Sequence, residues 1–355
     1  MIPANGEEHN NSLVVAAEGL MGDIRTLIEE TRSTVAVAVN SGLTLLYWRV
    51  GRRIHQEILK GGRAEYGKQI LQALCAKLTA EYGKGWSERN LAYMVRFAEV
   101  FPDLNILQAL CAKLSWTHFK AIIYIDDPLK RDFYAEMCRT EGWSTRTLQK
   151  KIDSMLYERT ALSRKPEELA RLELDALRDE DRITPALVFR DPYILDFLGL
   201  NDRYLEKDLE DAILRELEQF LLELGSGFAF LARQKRIQID NDDYYIDLLF
   251  YHRGLNRLIA IDLKLGDFKA EYKGQMELYL RWLDKHERRA GEGEPLGIIL
   301  CAGKKQELIE LLELGRSGIH VAEYLTELPP KEVLQAKLQT AIQHSRWRLE
   351  NREAE

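Results

Sequence analysis

Asp247 interrupts an otherwise aromatic and apolar run, Tyr244-Tyr245-Ile246-Asp247-Leu248-Leu249-Phe250-Tyr251, and Asp262 and Lys264 stand two residues apart in a second apolar run, RLIAIDLKLG (257–266). A charge inside a strand this apolar is costly unless it is paired or bound to a cation. Side chains of a strand alternate faces with period two. Ile259, Ile261, Leu263 and Leu265 therefore share one face, and Ala260, Asp262 and Lys264 share the other. If the two runs are neighbours in a hairpin, Asp247 and Asp262 converge. Two carboxylates side by side repel, and a divalent cation resolves that repulsion. Oxygen ligands, open coordination positions and a phosphate substrate suit Mg2+ or Mn2+. Lys264 is then placed to orient or deprotonate an attacking water and to stabilise charge growing on phosphorus. A D-x-K pair also serves as an interstrand salt bridge, and the spacing alone leaves both roles open.

Both runs belong to a series of alternating elements. An amphipathic helix over 205–225 ends at Gly225, a residue suited to close it. Strands follow over 233–240, 243–252 and 257–266, with turns at Asn241-Asp242 and Arg253–Asn256, as in a β-meander. A helix (269–287), a buried strand (296–303), a helix (304–314) and a short strand (320–325) complete an α/β sandwich. A helical tail occupies 327–355. Upstream, 160–185 is charge-rich, carries Pro166 and reads as a partly helical linker.

Residues 13–159 read as an all-helical domain, with apolar residues at three- and four-residue spacing in segments such as 43–59 and 68–83. Residues 1–12 are expected to be disordered. GWSERNL (85–91) and GWSTRTL (142–148) share one design, with Ser87 and Ser144 as helix N-caps. These helices carry Arg89 and Asn90, and Arg146 and Lys150, which either meet nucleic-acid phosphates or simply face solvent. The nonapeptide ILQALCAKL occurs at 70–78 and again at 106–114, both times as an amphipathic helix. Residues 1–165 hold 23 Lys+Arg against 19 Asp+Glu, net +4, and the remainder 27 against 38, net −11. Loose polyanion binding by the whole surface is disfavoured, and a basic groove belongs in the first half. The amphipathic helices there also leave open the docking of a partner or of a second copy of the chain. No run of the 355 residues is apolar enough to span a bilayer, the N-terminus lacks a signal-peptide layout, and the four cysteines show no metal spacing. A cytoplasmic protein with reduced thiols is expected.

The run DLLFYHRGLNRLIAIDLKLGDFKAEYKGQMELYL (247–280) resembles the nuclease domain of YhcG-like proteins, a PD-(D/E)XK group. Gln275 and Tyr279 match the QxxxY motif of nuclease domains resembling that of RecB, which implies support of the active site and contact with DNA. GSGFAFLARQKRI (225–237), GIILCAGKK (297–305) and VAEYL (321–325) fit the same family, as do YWRVGRRI, GWSERNL, LSWTH and the FYAE…GWS region of the first half. The resemblance implies a restriction-endonuclease-like α/β sandwich with a mixed central sheet over 186–326, behind the helical domain. It implies a metal-dependent DNA endonuclease in which Asp247 and Asp262 bind the metal and Lys264 acts on the water. Glu is commoner at the second acidic position, and Asp is one methylene shorter, which shifts metal distance or preference. An acid from the first helix often joins the site, and Glu210 is the candidate, with Glu206 and Glu216 as alternatives. The contrary expectation is an inactive scaffold that binds nucleic acid or assembles. His118 and His252 are expected to be structural, and Trp48, Trp86, Trp116 and Trp143 to be core anchors.

Overall fold

The computed structural model describes residues 6–61, 64–200 and 205–352, and the side chains of 20–58, 67–200 and 205–347. The chain divides into two compact units between Gln149 and Lys150.

The first unit is helical. Its elements are α1 (Gly6–Gly61), α2 (Ala64–Tyr82), α3 (Glu88–Val100), α4 (Leu104–Cys111), α5 (Trp116–Ile122) and α6 (Pro128–Glu141), and α7 (Thr145–Asp153) runs across the division. Of the expected disorder over 1–12, residues 1–5 lie outside the described residues, and from Gly6 onward the backbone is helical instead. Residues 20–39 of α1 are exposed, whereas its C-terminal part packs on α3. A Cβ at Gly51 would lie 1.8 Å from the Met94 carbonyl oxygen, so only glycine lets the two backbones approach this closely. Trp48 is buried and donates from Nε1 to the Phe101 carbonyl at 2.8 Å, and Trp143 is also buried. Trp86 and Trp116 are half-buried and pack on the Ile54–Leu91–Met94 core.

The second unit continues through α8 (Leu156–Arg159), α9 (Glu167–Glu180), α10 (Pro185–Val188), β1 (Tyr193–Ile194), α11 (Glu206–Arg215) and α12 (Leu217–Leu224). Then come β2 (Phe228–Ile239), β3 (Asp242–His252), β4 (Arg257–Asp267), α13 (Glu271–His286), β5 (Leu296–Gly303), α14 (Gln306–Leu311), β6 (Ile319–Leu325) and α15 (Lys331–Arg352). The sheet order is β1-β6-β5-β4-β3-β2. The β2–β3–β4 meander is antiparallel, and β4, β5, β6 and β1 pair in parallel, so the sheet is mixed. The helix expected over 205–225 breaks at Glu216 into α11 and α12, and β1 is an added edge strand.

Apolar side chains on both faces of the sheet bury two cores. Ile259, Ile261 and Leu263 of β4 pack with Leu209, Ile213 and Phe220 from α11 and α12. On the opposite face Ala260, Ile299 and Cys301 pack with Met276, Tyr279, Leu280 and Leu283 of α13. Each such Leu or Ile contributes about 1.5–3 kcal/mol. Gly297 of β5 has Met276 where its Cβ would be, at 2.6 Å, and this lets α13 lie close over the sheet.

The segment 160–185, read from sequence as a linker, folds into the second unit. Ala170, Leu174 and Leu177 of α9 are buried. Arg164 donates to both the side chain and the backbone oxygen of Asp191, which also pairs with Lys304 and accepts from the Glu323 amide at 3.0 Å. Burial pushes the Asp191 carboxyl up, but Lys304 and Arg164 outweigh it and hold the group below its usual value of 3.8. A carboxylate held low when folded contributes stability above its unfolded pKa, and that stability is lost as pH falls towards the folded value. Asp191→Asn should therefore cost about 3–5 kcal/mol at pH 7, the usual cost of breaking a buried ion pair. Urea midpoints should also show the variant losing less stability than the wild type on going from neutral pH to below about pH 4; equal losses would disprove this role for Asp191.

Candidate active site

The β3–β4 ladder ends at Leu248↔Ile261, and continuing its register sets Asp247 opposite Asp262. Past the last pair a side chain keeps the strands joined: the Leu263 amide donates to Asp247 Oδ2 at 2.8 Å. Asp262 is 2% exposed. Its Oδ2 lies 2.9 Å from Lys264 Nζ but receives no well-directed hydrogen bond, so the contact is an ion pair with a lone pair left over. Burial raises the Asp262 carboxyl above the carboxylate range; Lys264 opposes the rise, and the charge of Asp247 adds to it. Burial alone would lower Lys264, yet Asp262, Glu206 and Asp247 outweigh it and keep the ammonium charged. Lys264 Nζ also lies 3.5 Å from Glu206 Oε1 and 5.2 Å from the centre of the Tyr272 ring. The structure thus brings Asp247, Asp262 and Lys264 together.

Helix α13 sets Gln275 and Tyr279 one turn apart on the same side of the sheet as Asp262. Gln275 Nε2 donates to Tyr279 Oη at 2.6 Å. Burial raises the Tyr279 phenol, and Asp262 and Asp247 are near enough to raise it further. Glu210 reaches the site indirectly. Gln234 Nε2 donates to Glu210 Oε2 at 2.9 Å and to Asp247 Oδ1 at 3.1 Å. The other Glu210 oxygen takes Arg233 Nε at 2.5 Å. Glu206 meets Lys264, and Glu216 lies at the junction of α11 and α12.

Gln234 and Arg233 are the residues the sequence reading missed. ARQKR looks like a plain basic strand, and its unusual feature is a backbone one. Gln234 has φ 45°, a left-handed conformation that costs a non-glycine residue about 1–2 kcal/mol.

The oxygens present fit a hard divalent cation. Asp262 Oδ2 is buried without a directed hydrogen bond, and each Asp247 oxygen accepts one described hydrogen bond and has room for another partner. Among the described residues no three His, Cys, Asp or Glu side chains form a closed cage. The fit is therefore to a cation such as Mg2+, which takes one or two carboxylates and fills its other positions with water and substrate phosphate.

In the helical unit Ser87 caps α3 through the Asn90 amide, and Ser144 caps α7 through the Thr147 amide at 3.1 Å. Arg89 is exposed, bonds Tyr93 Oη at 2.7 Å and lines a surface pocket of about 500 Å3 with Lys84, Lys120 and Tyr93 and no acidic residue. Asn90 is engaged in the fold, donating to the Gly85 carbonyl and accepting from Trp116 Nε1. Arg146 and Lys150 are exposed one turn apart on α7. His118 closes the start of α5 through Ser115 and reaches the Trp143 carbonyl at 3.0 Å. Buried His252 accepts the Leu255 amide at 3.0 Å and packs edge-on against Phe228. Both histidines are tied into turns.

Residues 23–159 match the DUF1016 N-terminal domain, and residues 186–340 match the YhcG PDDEXK nuclease domain. The chain is 33% identical over 344 residues to the Escherichia coli protein named "Putative nuclease YhcG", covering 88% of this chain and 91% of that one. Among solved structures, a repair endonuclease from Pyrococcus abyssi is 20% identical, with 37% of this chain and 50% of that one covered and a TM-score of 0.25. An EndoMS–dsDNA complex is 18% identical, with 36% and 49% covered and a TM-score of 0.27. The chain spans about half of each, and neither likeness bears on the chemistry.

Asp247→Asn keeps an acceptor for the Leu263 amide while removing the charge. The variant should melt within a few degrees of the wild type but bind Mn2+ at least about tenfold more weakly by isothermal titration. Undiminished affinity would remove Asp247 from the metal site.

Proposed function

Because this chain belongs to the family of YhcG-like PD-(D/E)XK nuclease-domain proteins, we propose that it hydrolyses phosphodiester bonds of DNA, with Asp247 and Asp262 holding Mg2+ or Mn2+ and Lys264 acting on the attacking water. The observation that supports this most is the buried Asp262 carboxylate, adjacent to Asp247 and paired with Lys264 on an apolar strand. Such an arrangement is poor economy for stability alone, since hydrophobic residues of similar volume serve as well or better. The cation, when bound, supplies Lewis acidity to the phosphate and to the nucleophilic water.

The rest of the chemistry belongs to the chain. Asp247 and Asp262 gather negative charge at the end of the β3–β4 ladder. Lys264, held by Asp262 and Glu206, presents N–H donors towards the charge that develops on phosphorus, and it has no lone pair to spend on a metal while charged. Gln275 and Tyr279 brace the α13 side of the site and supply polar groups for the nucleic-acid backbone. Arg89 with Lys84 and Lys120 in the helical unit, and separately Arg146 with Lys150 along α7, supply phosphate contacts that carry affinity. DNA rather than RNA follows the family resemblance of residues 225–285. The free cysteines suit a reducing compartment such as the cytoplasm.

Lys264→Ala should abolish cleavage of single-stranded, double-stranded and branched DNA while leaving Mn2+ affinity nearly intact. A loss of Mn2+ affinity as large as that of Asp262→Ala would make Lys264 a structural partner of the carboxylate instead. For the helical unit, Arg89→Ala and Arg146→Ala in the full chain should each reduce the slope of log affinity against log salt by about one, as the loss of one phosphate contact requires. Fluorescence anisotropy at several salt concentrations measures this; unchanged slopes would turn the helical unit into a docking module for protein partners.

A further inference from the structure

We infer that Gln234 is the positioning residue of the metal site, a neutral clamp whose one amide nitrogen holds the Asp247 carboxylate for the cation by tying it to Glu210; this rests on the functional reading above. An amide NH2 has two N–H groups. Here one points to Glu210 Oε2 at 2.9 Å and the other to Asp247 Oδ1 at 3.1 Å. The clamp joins α11 to β3, elements that no backbone ladder connects. Glu210 therefore reaches the site by way of Gln234, and the approach of its carboxylate to Asp247 is set by one side chain.

The backbone is bent to make this possible. The other non-glycine residues with positive φ among the described residues, Met155, Asp181, Asp240, Asn256 and Glu313, all stand at turns or helix ends. Gln234 stands inside β2, between the pairs Arg233↔Leu248 and Lys235↔Ile246, directly across from Asp247. The alternation of burial along β2 also slips at this point, Gln234 and Lys235 both being half-buried. A strained conformation persists only where its surroundings over-determine it. At Gln234 the two carboxylates are what the strain serves.

The choice of an amide has a chemical reason. A lysine or arginine would satisfy the same oxygens with stronger bonds, but its charge would neutralise them and compete with a divalent cation. An uncharged donor fixes both rotamers and leaves the negative charge available. Arg233, the cation that does touch Glu210, is more than a third exposed and divides its bonds between Glu210 and Asp211.

The test uses the full-length chain with three variants. Gln234→Gly removes the amide and relieves the left-handed strain, so its melting temperature should equal or exceed that of the wild type. Its Mn2+ affinity by isothermal titration should nevertheless fall by about tenfold or more, the range for supporting groups of metal ligands. Cleavage by this variant should recover at high Mn2+, whereas cleavage by Lys264→Ala should not. Gln234→Lys, which keeps donors but adds charge, should bind Mn2+ more weakly still. If Gln234→Gly binds Mn2+ within about twofold of the wild type, the clamp is overturned and the metal-dependent reading stands. If Gln234→Lys binds as well as the wild type, the argument from neutrality is overturned. If the wild type itself binds no Mn2+, the functional reading fails and this inference with it.

Discussion

Burying a carboxylate next to another carboxylate is the constraint around which the second unit is built. Asp262 is almost without solvent, faces Asp247, and sits on a strand whose apolar residues belong to two cores. Left alone, such a group would be neutral or the strand would be displaced. Three features hold it in place. Lys264, two residues along the same strand, pairs with it and stays charged because Glu206 and Asp247 add to the negative field. The Leu263 amide anchors Asp247 where the ladder ends. Gln234 ties Asp247 outward to Glu210 and α11. Remaining electrostatic repulsion is what a divalent cation would relieve.

The sandwich serves that constraint from both sides. Helices α11 and α12 cover one face and supply Glu206 and Glu210 at the margin of their packed stripe. Helix α13 covers the other and supplies Gln275 and Tyr279 from the surface that also buries Met276 and Leu283. The apolar contacts that stabilise the fold and the polar groups that shape the site thus lie on the same helices, a turn or less apart. A site carried on packed helices and strands is held more tightly than one carried on loops. The Asp191 cluster does comparable work at the far edge of the sheet, tying residues 159–191 to β6 and the residues after β5.

The helical unit follows different logic. Its core is aromatic and aliphatic, polar side chains cap its helix starts, and Arg89 and Arg146 are exposed on α3 and α7. Among its described residues, His118 is consumed by the start of α5 and Asn90 by the turn before α3. Residues 1–149 hold 18 Lys+Arg against 17 Asp+Glu, net +1, and the remainder 32 against 40, net −8, so the phosphate contacts proposed for the first unit rest on local groups of cations and not on its net charge.

Much of this was legible in the residues themselves. Period-two alternation correctly assigned Ile259, Ile261 and Leu263 to one face and Asp262 and Lys264 to the other, because strand geometry leaves a side chain no alternative. Ser87 and Ser144 announced helix starts, because a hydroxyl at that position satisfies a local amide without help from the fold. What the sequence could not show depends on partners distant along the chain. Residues 160–185 read as a linker because the partner of Arg164, Asp191, lies outside the segment and is itself held by Lys304, 113 residues further along the chain. The identical segments at 70–78 and 106–114 part ways for a similar reason. The first stays within one continuous helix, half-buried, while the second stops at Cys111 because Ser115 and His118 start a new helix beyond it, and its leucines are fully buried. Gln234 was invisible for the strongest reason. Its left-handed backbone and its two carboxylate partners come from three separate elements, and only their assembly gives an ordinary glutamine between basic residues a place in the site.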